Sequence, residues 1–138
     1  MANILVVEDV EENIADIKLC LEPRGHQLFI AHTVNSATTL LKAATFDLLI
    51  CGVHLRRGVV FDLLKNVKSD PEKRDMPFIF FCCSPGAIAR YVSTSMKNTA
   101  MLLGADEYIT HEHFNEQRFL SEIDAFLRTT TRPVEDRK

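Results

Sequence analysis

Short, almost wholly apolar runs recur along this chain and are separated by longer segments with helical spacing. Such runs lie at residues 4–7, 47–52 and 78–83, and a more polar strand-like segment follows at 104–110. Strands that are apolar on both faces are typical of a parallel sheet covered by helices on each side. The alternation therefore predicts an α/β fold with five strands and five helices.

The element boundaries follow from this alternation and from local turn signals. Gly25, Pro71 and Gly104 each follow a predicted helix, where glycine and proline commonly end the helical conformation. The predicted strands are 3–8, 27–31, 47–52, 77–82 and 106–110, and the predicted helices are 11–23, 35–44, 59–69, 87–103 and 116–128. We expect one domain over residues 1–128 and a frayed polar tail over 129–138.

Charge and composition exclude several functional classes. The net charge is -3, so the chain lacks the excess of positive charge that draws proteins to nucleic acid or to anionic membranes. No apolar run approaches the roughly 20 residues that span a bilayer. The 4 cysteines lie mostly in or beside predicted strands, which favours buried, reduced thiols. We expect a cytoplasmic protein that binds neither nucleic acid nor membrane.

Residues with functional side chains stand where predicted strands end. Glu8 and Asp9 end or follow the first strand, while Gly52, Cys82 and His111 mark the ends of the third, fourth and fifth. Because the carboxyl ends of parallel strands share one edge of the sheet, we expect these positions to converge there.

The acidic pair, the spacing from Asp47 to Gly52 and the segment from Gly104 to Ile109 make residues 3–128 resemble a response-regulator receiver domain. The resemblance implies a flavodoxin-like, doubly wound parallel sheet in the order 2-1-3-4-5. It also implies a cation held by the acidic pair and a phosphoryl-accepting aspartate ending the third strand. A Ser or Thr is expected to end the fourth strand, and a Lys the fifth.

Three of these four positions depart from the family pattern. Gly52 stands at the acceptor position and has no oxygen to phosphorylate. Cys82 replaces the hydroxyl residue with a weaker hydrogen-bond donor. His111 replaces the lysine and is mostly neutral near pH 7. The resemblance therefore implies a pseudo-receiver, which is not an enzyme. Tyr108 matches the aromatic residue that signals activation in the family. Alternatively, it is simply a strand residue that packs beside the fourth helix.

The sequence is also compatible with other functions for these residues. Asp47 or Asp62 could accept the phosphoryl group in place of the missing aspartate. Alternatively, Cys82 and His111 could form the site of a small metal or redox sensor. The pseudo-receiver interpretation itself requires no cofactor. The side chains that could hold Mg²⁺ or a transition metal are Glu8, Asp9, His54, Cys82 and His111.

The resemblance also implies a partner surface, formed by the fourth helix, the fifth strand and the fifth helix. We expect a stand-alone signalling protein that contacts a histidine kinase or a downstream regulator there, with a homodimer through the same face as an alternative. The residues best suited to this surface are Arg90, Tyr91, Lys97, His113 and Arg118.

Overall fold

The computed structural model describes residues 1–83 and 87–136, and the side chains of residues 1–83 and 94–127. The strands are β1 (Asn3–Val7), β2 (Gln27–Ala31), β3 (Leu48–Gly52), β4 (Phe78–Cys83) and β5 (Glu107–His111). The helices are α1 (Glu11–Leu21), α2 (Val34–Ala43), α3 (Val60–Ser69), α4 (Ala87–Leu102) and α5 (Glu116–Asp136).

The five strands form one parallel sheet in the order β2-β1-β3-β4-β5. This order confirms the predicted flavodoxin-like fold. The direction of winding changes between β1 and β3, which is where doubly wound sheets open a crevice at their carboxyl edge. The order also leaves β2 and β5 as the two edge strands of the sheet.

Side chains alternate between two apolar clusters, one on each face of the sheet. In β4, Phe78 and Phe80 enter the cluster beneath α2, α3 and α4, which we call the first face. Ile79 and Phe81 enter the cluster beneath α1 and α5, which we call the second face. Burial on both faces explains why the strands read as continuous apolar runs.

Two predicted helix ends were wrong. The helix predicted over 11–23 ends at Leu21, and a 3-10 turn over Glu22–Arg24 follows, with Pro23 in its first turn. The helix predicted to end at 128 continues to Asp136, through most of the tail predicted to fray. That prediction rested on the polarity of the tail, and polarity alone does not exclude a helix.

Within the described ranges, none of the helices combines the length and apolar character needed to cross a bilayer.

Candidate functional site

The degenerate site lies at the carboxyl edge of the sheet, where β1 and β3 are neighbours. Glu8 directly follows β1, and its backbone N–H still donates to the Ala31 carbonyl of β2 at 2.9 Å. Gly52 is the last residue of β3 and is buried. The fold therefore places the acidic pair beside the position where the family resemblance expects a phosphorylated aspartate.

The carboxyl group of Glu8 fills the space above Gly52. A Cβ atom added to Gly52 would lie 2.5 Å from Glu8 Oε1, which is closer than real Cβ atoms approach their neighbours, and 3.0 Å from Glu8 Cδ. The other oxygen, Oε2, accepts the backbone N–H groups of Asp9 at 3.0 Å and Val10 at 3.1 Å. Glu8 is thus anchored in the place of the missing side chain.

The environment of Glu8 disfavours its charge. The residue is only 6% exposed, and this burial raises the pKa of its carboxyl group. The two backbone N–H groups lower the pKa, while the nearby charge of Asp9 raises it, and burial is the largest of these effects.

The Asp9 carboxyl group binds the loop between β3 and α3. Its Oδ2 accepts the backbone N–H of Arg56 at 2.9 Å, and the Arg56 side-chain Nε lies 3.9 Å from the same oxygen. Both carboxyl groups of the acidic pair consequently accept hydrogen bonds from the protein's own backbone.

Cys82 lies on the first face as the penultimate residue of β4, which ends at Cys83, one residue later than predicted. Cys82 is buried, and burial is the main cause that raises its pKa, followed by the charges of Cys83, Glu8 and Glu112. The thiolate, which is the reactive form, is therefore scarce at neutral pH. All four cysteines are free thiols. These features do not support a redox sensor at Cys82.

His111 does not join the acidic pair, contrary to the predicted convergence. Its side chain lies on the second face, fully buried, with the ring centroid 5.0 Å from that of Phe81. Asn115 N–H donates to Nδ1 at 3.3 Å, so Nε2 carries the proton and donates to Glu122 Oε1 at 3.0 Å. The alternation of β5 explains this: His111 shares its face with Ile109, two residues earlier.

The other predicted ligands and acceptors are also dispersed. His54 is exposed in the loop after β3. In the part of the chain with described side chains, no three His, Cys, Asp or Glu residues are grouped so as to hold a metal ion. Asp47 accepts the Asn3 N–H at 2.8 Å from the opposite edge of the sheet. Asp47 therefore precedes β3, at the end of the strand opposite Gly52. Asp62 is exposed on α3, 3.7 Å from Lys65.

Tyr108 is buried on the first face with its hydroxyl group unsatisfied. The side chain is 5% exposed, and its ring centroid lies 6.0 Å from that of Phe80. Among the described residues the hydroxyl has no hydrogen-bond partner. Burial, with a smaller contribution from Cys82, raises its pKa to about 12, so the hydroxyl is a neutral donor at physiological pH.

A cleft of about 890 Å³ opens between α4, β5 and α5, where the partner surface was predicted. Lys97 and Arg118 line it, whereas His113 is exposed outside the lining. The side chains of Arg90 and Tyr91 lie outside the described residues. Sequence reasoning missed several polar residues of the cleft, namely Thr94, Asn98, Glu107, Thr110 and Glu122. Alternation along β5 could have indicated Thr110, which is two residues from Tyr108.

Comparisons with known proteins agree with this fold. No family model matches the chain. It is 28% identical over 128 residues to the transcriptional regulatory protein CpxR of Escherichia coli (strain K12), a match that covers 93% of the chain and 50% of CpxR. It is 27% identical over 75 residues to the aerobic respiration control sensor protein ArcB of the same strain, covering 54% of the chain and 10% of ArcB. The chain therefore spans about half the length of CpxR.

Solved structures show the same architecture. The receiver domain of a signal transduction histidine kinase from Syntrophus aciditrophicus superposes with a TM-score of 0.77 at 25% identity, covering 96% of this chain and 94% of that one. A putative response regulator from Chloroflexus aurantiacus gives 0.78 at 21% identity, covering 91% and 97%. Fold and sequence likeness together support a response-regulator receiver domain of two-component signalling.

Proposed function

We propose that this receiver domain signals by protein–protein contact and is not phosphorylated at the usual position. The observation that carries the proposal is the Glu8 carboxyl group seated above Gly52, 2.5 Å from where a Cβ atom would lie. The space of the acceptor side chain is thus occupied by a group that belongs to the protein itself.

Phosphoryl transfer to a receiver needs an acceptor oxygen and a cation that neutralises the charge of the phosphoryl oxygens. Gly52 supplies no oxygen. Mg²⁺ requires oxygen ligands at open octahedral positions, yet Glu8 and Asp9 already accept three backbone N–H groups at 2.9 to 3.1 Å. In this proposal the acidic pair holds the adjacent loops in place through these hydrogen bonds. The domain needs no cofactor and catalyses no reaction.

Because phosphoryl transfer is absent in this proposal, the domain signals by binding other proteins through its surface. Tyr108 is buried in the first-face cluster, and we propose that it stays there. The cleft between α4, β5 and α5 offers the docking surface. We propose signalling proteins of the cytoplasm as partners, either a sensor kinase or a downstream regulator, because the likenesses to ArcB and CpxR fall in proteins named as a sensor and a regulator.

Intact-mass measurement after incubation with acetyl phosphate and Mg²⁺ tests the proposal. The protein should gain no phosphoryl mass under conditions that label an ordinary receiver domain run in parallel. A Gly52→Asp variant is the matched control, since it returns an acceptor oxygen to the same position. A stoichiometric adduct on the unaltered protein would contradict the proposal, and peptide mapping would then show whether Asp47 or Asp62 had accepted it.

A further inference from the structure

We draw no further inference here: the strongest candidate, the acidic, solvent-exposed side of α1 around Leu19, carries none because nothing in the described part of the chain shows what covers it.

Discussion

Replacing Gly52 with alanine tests the most specific feature of the degenerate site. The new methyl group would meet Glu8 Oε1 at 2.5 Å, so the carboxyl group must move away. It would then lose its bonds to the N–H groups of Asp9 and Val10, each worth about 1.5–3 kcal/mol when the acceptor is charged. Water regained by the displaced carboxylate offsets part of this loss.

The backbone itself does not oppose the substitution, because Gly52 is not among the glycines with positive φ. Alanine should even stabilise by about 0.4–1 kcal/mol through the unfolded chain. We therefore expect Gly52→Ala to lower the free energy of unfolding by a net of about 1–3 kcal/mol.

Urea unfolding of four proteins measures the effect: the unaltered chain, Gly52→Ala, Glu8→Ala and the double variant. In the Glu8→Ala background the methyl group meets no carboxylate, so Gly52→Ala should be neutral or slightly stabilising. The coupling free energy should be about 2 kcal/mol, within the range for contacting residues. If Gly52→Ala is equally well tolerated in both backgrounds, Glu8 does not occupy the acceptor space and the reasoning fails.

Three further outcomes are expected. Tyr108→Phe should raise the free energy of unfolding by about 1–2 kcal/mol, because it removes a buried, unpartnered hydroxyl. A lower free energy of unfolding for this variant, measured in urea, would mean that the hydroxyl is hydrogen-bonded. Glu8 has a raised pKa, so between the ordinary and the raised value the folded state binds more protons. Stability of the unaltered chain relative to Glu8→Gln should therefore fall as pH rises through that window, and a pH-independent difference would contradict this. His111→Ala should cost about 2–4 kcal/mol from cavity formation, whereas exposed His113→Ala should be nearly neutral; similar thermal melts for both would exclude the buried position of His111.

The fold was largely predictable because its parallel strands are buried on both faces. Such strands produce continuous apolar runs, and the strands predicted at 47–52 and 77–82 correspond to β3 and β4 with shifts of one residue. The local sequence pattern predicted helix ends less accurately, as the extension of α5 to Asp136 shows. Composition identifies polar segments, but it does not decide whether a polar segment remains helical.

The site was predictable in position but not in contacts. The family resemblance placed Glu8 beside Gly52, since both end neighbouring strands. It did not reveal that the Glu8 side chain turns into the vacant space, because that depends on which backbone N–H groups lie within reach. For His111, counting alternation from Ile109 would have indicated the second face, where the ring packs against Phe81.

The central claim is that the site is closed by its own carboxyl groups and binds neither Mg²⁺ nor a phosphoryl group. Amide resonances recorded during titration with Mg²⁺ and beryllofluoride, a mimic of the phosphoryl group, test this most directly. The account predicts that the signals of Asp9, Gly52 and Arg56 stay in place at concentrations that saturate an ordinary receiver. Saturable shifts of these three signals would show an open, ligand-binding pocket and would contradict it.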